Sequence, residues 1–278
     1  MLKEITLGQY FPGKSVLHKM DPRMKIILLT VFIVFIFITK NYISLGIMFL
    51  SVICVILLSG VSMKLYFKSL KAIIFIVLFT SVLNLFYGTG EPVFKWKFIE
   101  ITQAGINTSI FVAARIIALV LISSVLTYTT SPTDLTDGIE KLLKPLTVFH
   151  IKIHEIAMMM TIALRFIPTL LEETDKIMSA QKARGADFES GNVMTRIKAL
   201  IPILIPLFVS AFRRAYDLAM AMESRCYHGG EGRTRMKVLK YSKYDFTALF
   251  VVCVVCIGVI ICNTDNIRAF PFPDRPVT

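Results

Sequence analysis

Apolar runs decide what this chain can fold into. Two of them crowd residues 26–60, IILLTVFIVFIFI and ISLGIMFLSVICVILLSG, separated only by Thr39, Lys40, Asn41 and Tyr42. A third covers 72–87, a fourth 106–129 and a fifth 246–262. A bilayer-crossing helix needs about 20 mostly apolar residues, within a range of about 17–25. The five runs therefore predict five spans, the first two as a tight helical hairpin. Charged residues make up only 18% of the chain and the mean hydropathy is +0.68, against about 25% charged in soluble domains. The expected fold class is an all-α integral membrane protein.

Lysine and arginine placement gives the orientation. Five precede the first run, three lie at 64–71 and seventeen at 130–245. The alternate loops carry one, two and two. This asymmetry places the N-terminus and the long 130–245 segment in the cytoplasm and the C-terminus outside, in a cell membrane. Three regions are expected: 1–129 with the first four spans, 130–242 as a cytoplasmic helical module, and 243–278 with the last span and an extracellular tail.

Near the start, GQYFPGKS at 8–15 fits G-x-x-x-x-G-K-[ST]. A phosphate-cradling loop needs a strand to enter it and a helix to leave it, so that backbone N–H groups face the phosphates. Here Pro22 would break any helix after two turns, and a membrane span follows. The stretch reads as a cytoplasmic lead-in loop with basic residues near lipid headgroups. The five cysteines read as apolar helix residues; Cys253 and Cys256 form C-x-x-C, but within an apolar run. His150, His154 and His228 are too scattered for a metal site.

The 130–242 module predicts three helices. Ser131 suits an N-cap and Pro132 the first helical position, with Pro145 as a stop. A second helix starts near Ile153, carries Pro168, where a kink is expected, and ends at Arg184 before Gly185. Gly185 suits the left-handed position that terminates helices. A third runs from about Val193 to Met222. Each of the two long helices ends in an arginine between small residues: Ala183-Arg184-Gly185 and Ser224-Arg225-Cys226. Such forks pair bidentately with carboxylates, which points to two similar acidic docking sites on a partner. Met158, Met159, Met160, Leu164, Pro168, Leu204 and Phe208 mark an apolar surface able to repack, although ordinary core packing suits the methionines equally. Arg115, inside the fourth span, either pins helices together or meets a partner. Arg165, Arg213 and Arg214 are expected on polar helix faces, within reach of Glu172, Glu173 or Asp217.

The run HEIAMMMTIALRFIPTLLEETDKIMSAQKARGADF, followed by PLFVSAFRRAYDLAMAMESRCYHGGEGRTR, resembles the T component of energy-coupling factor (ECF) transporters, of the general vitamin type. GQYFPGKSVLHKMDPRMK and TTSPTDLTDGIEKLLKPL resemble the same family, so the likeness extends over nearly the whole chain. It implies a non-catalytic scaffold joining two cytoplasmic ABC ATPases to one or more substrate-binding S components for vitamin or micronutrient uptake. It implies that Ala183, Arg184 and Gly185 sit in a groove of one ATPase, and Ser224, Arg225 and Cys226 in that of another. In that second motif Ser224 and Cys226 stand where the family usually has alanine and glycine. Met158 to Met160, Leu164, Pro168, Leu204 and Phe208 would face the S component. No cofactor is expected in this chain: ATP and magnesium belong to the partners. No nucleic-acid partner is expected. Two other readings stay open, a stand-alone membrane carrier and a nucleotide-binding membrane enzyme using Gly8–Ser15.

Overall fold

Asp21 starts the first long helix by accepting the Arg23 backbone N–H at 2.9 Å, with Pro22 at the first helical position. This is the sequence logic of an N-cap followed by proline. The computed structural model describes residues 9–86, 92–96, 99–188, 192–230 and 238–265. In chain order the elements are α1 (Val16–Lys19), α2 (Pro22–Ile38), α3 (Tyr42–Ser59), α4 (Met63–Phe86), β1 (Pro92–Trp96), β2 (Ile99–Thr102), α5 (Gln103–Thr129), α6 (Pro132–Leu143), a 3₁₀ turn (Lys144–Phe149), α7 (Ile153–Ala183), α8 (Val193–Glu223) and α9 (Lys243–Asp265). The protein is a multi-pass helical membrane protein. Among the described residues, α3, α4, α5, α7 and α9 are long and apolar enough to cross a bilayer. α2, with 17 residues, sits at the short end of the spanning range. α7 qualifies because, before Glu172, Glu155 and Arg165 are its only Asp, Glu, Lys or Arg residues.

Two features differ from the sequence reading, the start of α4 and the loop before α5. α4 begins at Met63, so Lys64, Lys68 and Lys71 ride on a helix rather than in a loop. Lysine is a good helix former, and nothing between Met63 and Ala72 stops the turn. The loop before α5 holds a small antiparallel hairpin, β1 with β2, in which Lys95 pairs with Glu100 and Trp96 with Ile99. Pro168 is carried inside an unbroken α7.

The chain divides into two compact units, one made of residues 9–138 and 239–265, the other of 139–238. In the first unit, inward stripes recur at helical spacing: Leu28, Phe32 and Ile36 on α2; Met48, Val52 and Ile56 on α3; Ala118, Ile122 and Val125 on α5; Val252, Cys256 and Val259 on α9. Outward positions are equally apolar, as at Leu57, Phe75 and Phe250. That is what a lipid solvent allows. α4 packs along α5 with small polar residues between them: Ser81 and Ser109 hydroxyls meet at 2.5 Å, and Ser69 bonds the Tyr128 hydroxyl. Gly105 lets α5 start against the end of α4, since a Cβ there would lie 2.7 Å from the Leu85 carbonyl oxygen.

The segment DPRMK at 21–25 builds a largely buried clamp. Asp21 holds Arg23 at 2.8 Å and donates its own N–H to Asp245 at 3.0 Å. Asp245, 1% exposed, also accepts the Ser242 N–H at 2.6 Å and so caps α9. Lys25 Nζ donates to the Thr129 carbonyl at 2.9 Å and the Thr130 hydroxyl at 3.1 Å. Arg23 lies over the Tyr241 ring. The clamp ties the ends of α2, α5 and α9 together, and buried charges are stable there because each is bonded.

Arg115 resolves in the same unit. Its Nη2 donates to the Thr39 carbonyl at 2.9 Å, and its guanidinium lies over Phe111. It joins α5 to the end of α2, so of the two sequence options helix pinning is the one observed.

Candidate functional site: two arginine-tipped helix ends

α7 and α8 have 31 residues each and run antiparallel. Glu173 on α7 bonds Ser210 and pairs with Arg214 of α8 at 2.6 Å. Gln181, late in α7, reaches the carbonyl of Pro202, early in α8. Early α7 and late α8 flank a cavity of about 810 Å³, lined by Met158, Ile162, Arg165 and Met222 among others.

The two helix ends share one backbone motif. At the end of α7, Ala186 N–H reaches back to the Gln181 carbonyl at 3.0 Å, and Gly185 N–H to Lys182 at 3.0 Å. At the end of α8, Tyr227 N–H reaches the Met222 carbonyl at 3.0 Å, and Cys226 N–H the Glu223 carbonyl at 2.8 Å. This nested pair of bonds is the Schellman termination, which requires a left-handed residue just past the cap. Gly185 takes it at φ 89° and Cys226 at φ 56°. The cap position itself is Arg184 in one end and Arg225 in the other. Both arginines are exposed, as are Ala183, Gly185, Ser224 and Cys226. The sequence comparison of the two motifs therefore extends to geometry, and Cys226 keeps the fold that glycine gives the first tip.

Each arginine lies 11 residues beyond its member of the Glu173–Arg214 pair (184 − 173 and 225 − 214). At about 1.5 Å per residue the two arms amount to roughly 33 Å of helix. The tips point away from each other, so one small site cannot hold both.

The apolar surface residues are only partly gathered. Met159, Met160, Leu204 and Phe208 are exposed, at 42–60% for these four. Pro168 is exposed and Leu164 half-buried. Met158 instead lines the cavity between α7 and α8. On α8, Ile197, Ile201, Leu204, Phe208 and Phe212 form an exposed stripe at helical spacing. Ile197, Ile201 and Phe212 were not singled out in the sequence, although their spacing signals them. Of the possible internal ion pairs, the structure forms Arg214–Glu173.

The glycine-rich stretch near the start does not build a phosphate cradle. Gly8 lies outside the described residues. Beyond Ser15 the helix α1 has four residues. The Ser15 hydroxyl bonds His18 Nδ1 at 2.7 Å, while His18 Nε2 donates to the Phe11 carbonyl at 2.9 Å. A Cβ on Gly13 would sit 2.6 Å from the His18 ring, which fills the space a phosphate would need.

Comparison with known proteins agrees with this architecture. The model of the CbiQ family, described as cobalt transport protein, matches residues 13–236, which includes both tips. The chain belongs to the CbiQ family. Within it the similar proteins are energy-coupling factor transporter transmembrane proteins, EcfT. That of Clostridium kluyveri is 53% identical over 94% of this chain and 97% of its own. That of Ruminiclostridium cellulolyticum is 51% identical over 94% and 98%, and that of Bacillus subtilis 45% over the same shares. Over nearly its whole length the chain is thus similar to transmembrane proteins of energy-coupling factor transporters.

Proposed function

We propose that this chain is the non-catalytic scaffold of an ECF-type importer, coupling ATP hydrolysis in two cytoplasmic ATPases to a substrate-binding S component. The observation that carries the proposal is the pair of equivalent, exposed, arginine-capped helix ends on opposite arms of the α7–α8 hairpin. Each arginine presents a bidentate fork at a helix C-terminus, and each would enter an acidic groove of one ATPase. Two tips facing apart suit two ATPase subunits. ATP and magnesium would be held by those subunits. The exposed stripe through Leu204 and Phe208, with Met159 and Met160, would lie against the S component, with Met158, Leu164 and Pro168 beside it. As the ATPases close, the hairpin moves with its tips, and the apolar stripe shifts under the S component. That component releases a vitamin or other micronutrient inside. The N-terminus and the 139–238 unit lie in the cytoplasm and the C-terminus outside, as the lysine and arginine distribution indicates.

The test is purification of the tagged chain in mild detergent from its native membrane. The expected companions are two ATPases and a small, very hydrophobic protein. A chain that purifies alone and, in liposomes, carries substrate by itself would overturn the proposal in favour of a stand-alone carrier.

A further inference from the structure

The two long helices end in the same motif at an offset of 41 residues, and that offset relates further positions. It maps Arg184 onto Arg225, and it also maps Glu173 onto Arg214. These two equivalent positions touch each other, at 2.6 Å. In an antiparallel hairpin, a residue can meet its own equivalent only where a pseudo-two-fold axis passes between the helices. The Glu173–Arg214 pair therefore marks that axis. Glu172 and Arg213 are likewise equivalent, so acid sits on one helix and base on the other where the axis runs. The arms beyond the pair are equal, about 16 Å each by helical rise.

The arms differ in what lies between them. On one side Gln181 Nε2 lies 3.5 Å from the Pro202 carbonyl. The equivalents on the other side are Met222 and Thr161. There both helices line the cavity of about 810 Å³, with Arg225 and Cys226 among its lining residues. One arm carries a side-chain contact and the other a cavity, on either side of a bonded centre. Ser210, one turn before Arg214, holds the second oxygen of Glu173 and fixes its orientation.

We infer that Glu173 and Arg214 are a positioning pair for energy coupling: a fulcrum that keeps the crossing point fixed while one arm parts and the other closes. Displacing one tip then displaces the other in a determined direction, whereas without the fulcrum the helices slide and the tips move independently. This inference rests on the proposed docking of the tips, and it concerns the centre of the hairpin rather than its ends.

The experiment uses the assembled transporter in liposomes, with four variants of this chain: Glu173→Arg, Arg214→Glu, the two combined, and Arg184→Glu with Arg225→Glu. Three quantities are read: co-purification of the ATPases, ATP hydrolysis, and substrate transported per ATP hydrolysed. Each single fulcrum variant should retain the ATPases, because its tips are intact. Its transport per ATP should fall about tenfold, within the ordinary range of coupling between sites. The combined variant restores the opposite charges in exchanged places and should recover transport per ATP to within about twofold of the wild type. Single variants with unchanged transport per ATP would overturn the inference. So would a combined variant as defective as the singles, because the effect would then not arise from the contact. Where a single variant fails to assemble, recovery of assembly and coupling in the exchanged pair decides in favour, and failure of both decides against. The tip variant separates this from the proposed function: if it retains both ATPases, the docking proposal fails, whatever the fulcrum variants do.

Discussion

Cys226 occupies a backbone conformation that glycine holds at the equivalent place, and the exchange has a calculable effect. A residue with a Cβ in the left-handed region is disfavoured by roughly 1–2 kcal/mol. Glycine escapes that but gives up roughly 0.5–1 kcal/mol more conformational entropy on ordering. Cys226→Gly should therefore stabilise the α8 termination by about 0.5–1 kcal/mol net. Gly185→Ala should destabilise the α7 termination by about the same amount. The α7 case isolates the backbone term, because a Cβ on Gly185 would meet nothing within 4 Å. The reporters are the Tyr227 amide, bonded to Met222, and the Ala186 amide, bonded to Gln181. Because 1.4 kcal/mol is tenfold, hydrogen exchange at Tyr227 should slow about two- to fivefold in Cys226→Gly. Exchange at Ala186 should quicken by a similar factor in Gly185→Ala. Unchanged exchange at both amides, or changes of the opposite sign, would refute the argument that the two tips share one strained termination.

Two further predictions concern the 9–138 and 239–265 unit. Asp245→Ala strands the N–H groups of Asp21 and Ser242, which Asp245 accepts at 3.0 and 2.6 Å. At about 1–3 kcal/mol for each stranded donor, the protein should lose roughly 2–6 kcal/mol, seen as a lower thermal midpoint in detergent, with Asp245→Asn in between. Gly105→Ala drives a Cβ to 2.7 Å from the Leu85 carbonyl oxygen. It should destabilise by about 1–3 kcal/mol in the same assay, and Gly46→Ala, where a Cβ meets nothing within 4 Å, should not.

Much of the fold was legible because a bilayer imposes length on apolar runs. The hairpin break at Thr39–Asn41, the Ser131 cap and the limits of α7 and α8 all follow from local residues. The start of α4 was not legible, since Lys64, Lys68 and Lys71 suit a cytoplasmic loop and a helix equally well. Nor was the clamp: Asp21 meets Asp245 across 224 positions and Lys25 meets Thr129 across 104. Short-range patterns carry no trace of such partners. At the tips, Gly185 announces its left-handed turn, while cysteine has no such preference and Cys226 could be placed only through the repeated arginine. The Glu173–Arg214 contact was within reach of the sequence, since the same offset that aligns the arginines aligns this pair. Choosing it among the possible partners needed the antiparallel register, which the structure supplies.

The most direct test of the account is the fate of the ATPases when both tips reverse charge. Arg184→Glu combined with Arg225→Glu, expressed with the partner subunits and purified in mild detergent, should yield a membrane-inserted chain depleted of ATPases and inactive in transport. Each single reversal should keep partial assembly through the remaining tip. Full recovery of both ATPases with the doubly reversed chain would contradict the claim that these helix ends are where the engines attach.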